Sequence, residues 1–536
     1  MHFTDTARLF CRGYGDDNII GVLNKLWQIS FDKRLGKGLY SLANNTLGAF
    51  WEGDLFGGIW SQNYIGMYCW TPLMPDALFT YHVNSYRRLF DAQSDGATKD
   101  YRGEAVPAGA LPEYINYRKE IGGVARYKVD EYIAETVPYE DFWVEGTAAM
   151  VYCFGELILT TRDRQLLNQY LSRLESACEW LHSRVDENGL LAVGPAGTLI
   201  EREYGATYLG NLKYERGYPA GAMVWYIAAN RQVAELEKMG GRPEMFERFS
   251  SYAKSALESL PQLFTRDGYL VNYMDWHGNP HGVVGAKQHG YFESNPNHDA
   301  LALEVVNRQD AEKIYMVMKS ADGLFNQYGQ VRCVHPVHDD CMPNHAHGIN
   351  PQPNPDVGPR NDGASLMHEH GPGEHWNGGI WFCSQTRMLM AQYMLGKHRD
   401  ILKPLERHLE LYREGMLHDQ IKGDGETTPY SKNSKHVMLD FFEVPGAGLR
   451  GLFEYRYLWD RLLIYPHMDP TIEQYEQIQP VRYGTKKIHL KVDNKDRGYV
   501  KKAVLNGETL KEVNDLNVQI KYDRLEHVEN LLEIEI

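Results

Sequence analysis

Apolar residues recur at intervals of three to four along most of this chain, from near its start to about residue 465. This spacing puts apolar side chains on one face of an α-helix and therefore predicts a helix wherever it persists. The segment 219–239 is the clearest case, because it begins with a proline and is followed by Gly240 and Gly241, which favour a helix start and a helix stop. The same spacing predicts helices over 75–92, 144–160, 164–184, 244–260, 296–306, 309–320, 379–395, 399–415 and 445–463.

Four long segments without this periodicity separate some of the helices: 185–218, 262–294, 322–375 and 416–440. They contain Trp, His, Glu and Asp rather than Ser and Gly, and long loops of that kind in a compact domain usually carry function. Helical hairpins joined alternately by short and long loops can close a toroid whose long loops gather at one end. We therefore expect a mainly α fold of paired helices with a site at that end.

The pattern changes after about residue 466. The stretch 466–481 has spaced prolines and resembles a linker. The Asn506-Gly507 pair then predicts a tight hairpin turn. Alternation of apolar and polar residues predicts short strands within 486–492, 499–510, 516–523 and 531–536. The expected organisation is a helical domain over 1–465 and a small β-sandwich-like domain over 466–536.

Composition narrows the range of partners. The net charge of -15 disfavours nucleic acids and anionic membranes, whose phosphates would be repelled. No apolar stretch approaches the roughly 20 residues that span a bilayer, and the first residues show no basic segment followed by an apolar run. The seven cysteines are odd in number and scattered, which argues against a disulfide framework and favours a reducing, cytoplasmic compartment.

Tyrosine and tryptophan are abundant, with 35 and 11 residues against 18 phenylalanines. Both side chains combine an apolar face with a polar group, and they complement sugar rings, which have apolar C–H faces edged by hydroxyls. In the segment 50–60 we expect Trp51, Asp54 and Trp60 to contact a sugar, although Asp54 could instead cap a helix. Trp143 and Glu145 again place a tryptophan close to a carboxylate, here at the start of a predicted helix, and we expect them to contact the sugar as well.

Two further segments carry carboxylates suited to acid–base chemistry. In 198–219, Glu201, Glu203 and Glu215 lie among tyrosines that include Tyr204. An aromatic wall can raise the pKa of a carboxyl so that it donates a proton to a departing glycosidic oxygen. In 422–431, Glu426 follows a glycine in a turn and is the candidate general base. The alternative in both places is a solvated acidic loop.

The segment 371–382 opens a predicted helix and concentrates polar aromatic side chains there. We expect its residues His375, Trp376, Asn377 and Trp381 to bind substrate.

Seven histidines also occur between positions 335 and 375. Their spacing, including the His-x-His pairs at 345–347 and 368–370, fits no metal-ligand template, so we expect neither a metal nor another cofactor.

These motifs, in this order, resemble the inverting α/α-barrel glycoside hydrolases and disaccharide phosphorylases, among them the glucoamylase-like, glycogen-debranching-like and cellobiose-phosphorylase-like groups. The resemblance is carried by HWNGGIWFCSQTRMLMAQYMLG at 375–396, FWEGDLFGGIW at 50–60 and RGYPAGAMVWYIAANRQVAELEKMGG at 216–241. GLFEYRYLWDRLLIYPHM at 451–468 is similar to the junction with the C-terminal β-domain of the family.

The resemblance implies an (α/α)6 barrel and inversion at the anomeric carbon. It also implies a general acid just before the central helix, where Glu203 or Glu201 stands, and a base before the last barrel helix, where Glu426 stands. The debranching and trehalase-like groups mostly have an Asp near a Trp at the acid position, and this chain does not.

The expected function is hydrolysis of an oligosaccharide or small glycoside, with a second copy of the chain as a further candidate partner. A phosphorylase on the same barrel is the nearest alternative, and phosphate-dependent turnover would distinguish it. A uronyl hydrolase, lyase or sugar epimerase would need basic groups for a uronate. A non-catalytic carbohydrate-binding protein would lose no measured activity when Glu203 and Glu426 are replaced by Gln, because it would have none.

Overall fold

The fold is described from a computed structural model of the chain. The structure describes residues 9–15, 17–51, 58–97, 105–112, 114–116, 144–192, 208–210, 213–214, 217–286, 290–336, 373–374, 378–427, 437–494 and 498–536.

The described residues include twelve α-helices, most of which alternate along the chain between a fully buried helix and a helix with one exposed face. They are α1 Asp17–Phe31, α2 Leu39–Leu42, α3 Asp76–Asp91, α4 Val144–Thr161, α5 Arg164–His182, α6 Ala220–Gly240, α7 Pro243–Ser259, α8 Asn295–Ala302, α9 Arg308–Ser320, α10 Phe382–Met394, α11 His398–Arg413 and α12 Leu439–Arg450. A 3₁₀ segment, Gly66–Trp70, precedes α3 and is also fully buried.

Helices α4, α6, α8, α10 and α12 form an inner set together with the 3₁₀ segment. Every residue of α8 and α12 is buried, and the others are buried on nearly all sides. A helix that is apolar all round belongs in a core, whereas an amphipathic helix covers one. Helices α1, α3, α5, α7, α9 and α11 are of the second kind and form the outer set.

The inner segments contact one another in chain order. Helix α4 packs on α6, α6 on α8, α8 on α10 and α10 on α12. Helix α12 then packs on the 3₁₀ segment, which also contacts α4. Because inner and outer helices alternate along the chain, the inner helices run in the same direction and their N-terminal ends lie at one end of the bundle. We call this end the rim.

Short strands stand directly before the inner helices. Strand β8 (Gly217–Pro219) precedes α6, β11 (Phe292–Glu293) precedes α8, and β13 (Ile380–Trp381) precedes α10. Each pairs with a strand from a following loop: β8 with β9 (Tyr273–Asp275), β11 with β12 (Val334–His335), and β13 with β14 (Gln420–Ile421). Apart from β1, which belongs to the C-terminal part, the other short strands before α8 are β2 Ala43–Asn44, β3 Ala49–Phe50, β4 Gly58–Trp60, β5 Tyr114–Asn116, β6 Tyr208–Gly210, β7 Lys213–Tyr214 and β10 Pro280–His281.

The C-terminal part forms two sheets. They are built from β15 Phe453–Tyr457, β16 Arg461–Pro466, β17 Ile472–Tyr483, β18 Lys486–Asp493, β19 Lys502–Leu505, β20 Glu508–Thr509, β21 Val518–Lys521 and β22 Glu529–Glu535. One sheet has the order β15-β16-β21. The other has the order β1-β17-β18-β22-β19-β20, so the N-terminal strand β1 (Cys11–Gly15) is part of it. The domain boundary at residue 465 remains a prediction.

Most predicted elements are confirmed. The segment predicted as 219–239 forms α6 and ends at Gly241, whose φ of 75° suits a glycine after a helix. The Asn506-Gly507 turn has φ values of 51° and 88°, as a two-residue hairpin turn with both central residues left-handed requires. Helix α1 was not among the helices predicted from the sequence.

Two predictions are wrong. The helix predicted over 445–463 is instead the end of α12 followed by β15 and β16, because buried Phe453, Tyr455 and Tyr457 alternate along a strand. The linker predicted over 466–481 contains most of β17. Its register with β18 shifts between Gln477 and Val481, and this irregularity breaks the two-residue alternation that would have revealed a strand in the sequence.

The six described cysteines are buried free thiols, which agrees with the expected absence of a disulfide framework in the described part of the chain. None of the described helices combines the length and the apolar character that crossing a bilayer requires.

A fully buried arginine, Arg450, links several inner elements at the end opposite the rim. Its guanidinium donates to Glu156 Oε1 at 2.5 Å and to the Tyr68 carbonyl at 2.8 Å. It also donates to the Tyr455 carbonyl at 3.0 Å and to Glu454 Oε1 at 3.3 Å. The group thus joins α12, α4, the 3₁₀ segment and β15.

We predict that Arg450→Met lowers the free energy of unfolding by about 3–5 kcal/mol at pH 8, because it leaves buried carboxylates without their cation. Urea denaturation followed by circular dichroism measures this. The control is Arg456→Met, which removes a partly exposed ion pair with Glu304 and should cost less than about 1 kcal/mol. Equal costs for the two variants would contradict the role assigned to Arg450.

Candidate active site

Buried carboxyl groups gather where the inner helices begin. Glu145 is the second residue of α4 and is 4% exposed. Asp440 is the second residue of α12, and Glu443 lies one turn further along the same helix, both fully buried. Asp419 stands directly before β14 and is 5% exposed. The partial positive charge at a helix N-terminus favours carboxylates in the first turn, which offsets part of the cost of burying them.

The pairing of β13 with β14 brings Asp419 towards α12. Trp381, the last residue of β13, pairs with Gln420, and the backbone N–H of Phe382 donates to the Asp419 carbonyl at 2.9 Å. The Trp381 Nε1–H donates to Asp440 Oδ1 at 3.1 Å. Trp381 therefore connects the first turn of α10 to the first turn of α12, with Asp419 beside both.

The carboxyl of Asp440 holds its proton unusually tightly. Burial raises the pKa of Asp440 well above its ordinary value, and the nearby charge of Asp419 raises it further, while the bond from Trp381 opposes the shift. Its Oδ2 is buried and accepts no hydrogen bond from the described residues. Asp419 contacts the Nδ1 of His418 through its Oδ1. Two neighbouring carboxyls repel each other when both are charged, so the charge of Asp419 adds to the effect of burial on the pKa of Asp440.

Glycines on neighbouring inner segments fix the positions of the other two rim acids. The backbone N–H of Gly66 donates to Glu443 Oε1 at 2.8 Å, and a Cβ on Gly66 would overlap this carboxylate. A Cβ on Gly221, in the first turn of α6, would likewise overlap the carboxylate of Glu145. Each carboxylate is thus held against the backbone of the adjacent inner segment.

A polar network extends from the rim into the bundle. Glu293 Oε1 accepts from the backbone N–H of Asn295 at 3.0 Å, and Asn295 Oδ1 accepts from the Ser384 hydroxyl at 2.7 Å. Deeper in the core, Arg387 forms a fully buried ion pair with Asp299. Burial alone would raise the pKa of Asp299, but the positive charge of Arg387 is a principal reason that it lies below its ordinary value. Asp299 is therefore a permanent anion that anchors α10 to α8.

Five of the predicted site residues lie in the described part of the chain. Glu145 and Trp381 are at the rim, as described above. Trp51 follows β3 and Trp60 ends β4, and both are half-buried.

Glu426, the fifth, lies in a turn with an exposed side chain. Two contacts tie this turn to the residues before α10: Lys422 forms an ion pair with Glu374 at 3.3 Å, and the Gly423 N–H donates to the Gly373 carbonyl at 2.7 Å. The turn also packs on the outer helix α11, because Arg407 donates to the Gly425 carbonyl at 2.9 Å. Glu426 is therefore an exposed residue, in a turn held against Gly373, Glu374 and Arg407.

The other predicted site residues lie outside the described residues: Asp54, Trp143, Glu201, Glu203, Tyr204, Glu215, His375, Trp376 and Asn377. Of the histidine run, His335 is described, in β12, and the described residues contain no cluster that could hold a metal ion.

Four of these buried acids were not predicted from the sequence as functional residues: Asp419, Asp440, Glu443 and Glu293. Asp440 and Glu443 lie in LDFFEVPGAG, an apolar run interrupted by two acids three residues apart. On a helix this spacing places both carboxylates on one face, which is the signal that could have identified them.

The chain is similar in fold to two solved glycoside hydrolases. One is a GH78 family rhamnosidase of Bacillus sp. GL1, with a TM-score of 0.53 and 12% identity, covering 90% of this chain. This chain spans 42% of that rhamnosidase chain. The other is a GH63 mannosylglycerate hydrolase from Thermus thermophilus in complex with Tris and D-glycerate, with a TM-score of 0.50 and 13% identity, covering 80% of this chain and 99% of that one.

No family model matches the sequence, and a search of curated proteins finds no match. The comparisons therefore establish a likeness of fold to glycoside hydrolases of these two families.

Proposed function

We propose that the protein is a glycoside hydrolase whose six inner segments close an (α/α)6 toroid around the base of its active site. The observation that carries the proposal is the buried Asp419–Asp440 pair at the end of the bundle where the inner helices begin, in which burial and the charge of Asp419 raise the pKa of Asp440. The likeness of fold to a rhamnosidase and a mannosylglycerate hydrolase supports the same class of chemistry.

In the proposed mechanism, Asp419 is the general base. Asp419 lies beside Asp440 and accepts a proton from an attacking water. Trp381 orients Asp440 through its indole N–H. Glu203, or Glu201, protonates the departing oxygen from the opposite side of the sugar. An inverting hydrolase requires an acid on one side of the sugar and a base on the other, with room for the water between the base and the anomeric carbon. Glu426 is the alternative base.

The base assignment is tested by Asp419→Asn, which keeps the shape of the side chain and removes its basicity. We predict that kcat falls by about 10²–10⁴-fold, the usual contribution of a general base, while the circular dichroism spectrum is unchanged. The matched variant is Glu426→Gln, which we expect to retain most of the activity because the side chain is exposed. A large loss for Glu426→Gln with little loss for Asp419→Asn would transfer the role to Glu426.

The raised pKa of Asp440 has a consequence for stability. A carboxyl that binds its proton more tightly in the folded than in the unfolded protein loses stabilisation as the pH rises from its unfolded pKa towards its folded pKa. Asp440→Asn removes this loss. We therefore predict that the variant gains stability relative to the wild type between pH 5 and pH 8, by at most about 1.4 kcal/mol per pH unit. Urea denaturation at both pH values measures the gain, and a pH-independent difference would contradict the raised pKa.

The reaction class is tested by screening aryl glycosides, including rhamnosides, and mannosylglycerate with and without inorganic phosphate. We predict turnover without phosphate and, in the first minutes of proton NMR, a product of the opposite anomeric configuration to the substrate. Retention of configuration would refute the inverting mechanism. Strict dependence on phosphate would make the protein a phosphorylase.

A further inference from the structure

Two tryptophans in the described part of the chain have exposed side chains, Trp276 at 53% and Trp459 at 40%. Leaving an indole in water forgoes much of the free energy gained on burying it. A single exposed aromatic residue is not unusual, but Trp276 combines exposure with a fixed position and a location at the rim.

The position of Trp276 is fixed by the turn that contains it. The turn joins β9 to β10 (Pro280–His281), and the carboxylate of Asp275 holds it together. Asp275 Oδ1 accepts from the backbone N–H groups of His277 at 2.9 Å and Asn279 at 2.8 Å, and its Oδ2 lies 3.2 Å from His281 Nε2. Because these bonds lie within the turn itself, binding at this turn would require little further ordering.

A second aromatic ring supports the indole. Tyr218 stacks on Trp276 with ring centroids 5.8 Å apart and an angle of 21° between the planes. Tyr218 is 7% exposed, and its hydroxyl donates to Asp186 Oδ2 at 2.5 Å, which prevents the ring from turning away. The Trp276 indole therefore faces solvent and the Tyr218 ring supports it from behind; we call the two rings the aromatic surface.

This aromatic surface stands at the same end of the bundle as the rim acids. Tyr218 belongs to β8, which ends directly before α6, and β8 pairs with β9, the strand that leads into Trp276. The first turn of α6 contains Gly221, which packs on Glu145. The surface thus borders the rim beside α6.

We infer that Trp276, supported by Tyr218, is a sugar-binding subsite that stacks on the apolar C–H face of a pyranose ring beyond the bond that is cleaved. The inference rests on the proposed function and deepens it, because it makes the substrate an oligosaccharide rather than a glycoside of a single sugar. An indole offers a large flat surface for such a ring, and the preformed turn spares the binding energy that ordering a loop would consume.

The test compares Trp276→Ala with Trp459→Ala. Trp459 lies at the opposite end of the bundle, where its backbone N–H donates to Glu235 late in α6, and it serves as the matched exposed-tryptophan control. The measured quantity is kcat/KM for a trisaccharide divided by kcat/KM for the p-nitrophenyl glycoside of the same terminal sugar. We expect this ratio to fall roughly tenfold in Trp276→Ala, as loss of an aromatic anchor typically weakens binding, to recover partly in Trp276→Phe, and to stay unchanged in Trp459→Ala.

An unchanged ratio in Trp276→Ala, in an enzyme that does hydrolyse glycosides, would overturn the subsite and leave the proposed function standing. If the wild type hydrolyses no glycoside, the proposed function fails, and calorimetric titration with maltotriose, mannotriose and cellotriose tests the subsite separately. Binding of a trisaccharide that weakens in Trp276→Ala and persists in Trp459→Ala would support the subsite. Absence of binding, or equal binding by both variants, would overturn it.

Discussion

The inner helices of this protein are buried on almost every side, and this constraint determines where its charged groups can lie. A charged side chain on such a helix has no access to bulk water, so its charge must be compensated by a neighbouring inner helix or be removed by protonation. The structure uses both solutions at different depths. Far from the rim, Arg450 compensates Glu156, and in the middle of the bundle Arg387 compensates Asp299.

At the rim, the account has a buried carboxyl lose its charge by protonation. Asp440 has no ion pair with any described cation, and the charge of Asp419 raises its pKa further, against a smaller opposing effect of the charge of Arg387. A structural carboxyl would be expected to have a compensating arginine like those deeper in the bundle. A buried carboxyl whose pKa is raised by a neighbouring carboxyl is an arrangement that acid–base catalysis uses. The contrast between the two ends of the same helix, α12, is the physical basis for placing chemistry at the rim.

The helical part of the fold could be predicted from sequence because periodicity and end signals agreed, as in α6 with its preceding proline and following glycine pair. The β17 strand could not, because its register shift hides the two-residue alternation. Among the predicted site residues, Glu145 and Trp381 lie at helix starts, as expected from the sequence.

Asp419 and Asp440 were missed for a different reason. The last inner helix was predicted to begin at 445, so both residues fell within the segment 416–440, which was interpreted as a loop, and the helical spacing of Asp440 and Glu443 was not recognised. The partnership of Asp419 and Asp440 depends on the pairing of β13 with β14, a contact between segments about forty residues apart that no local pattern encodes.

The central claim is that Asp440 is protonated at neutral pH in the folded protein. Infrared difference spectroscopy of wild type minus Asp440→Asn at pH 7 tests it directly, because protonated and ionised carboxyl groups have well-separated carbonyl stretching bands. The account predicts a band of a protonated carboxyl that is present in the wild type and lost in the variant. A difference spectrum that shows the loss of an ionised carboxylate instead would contradict it.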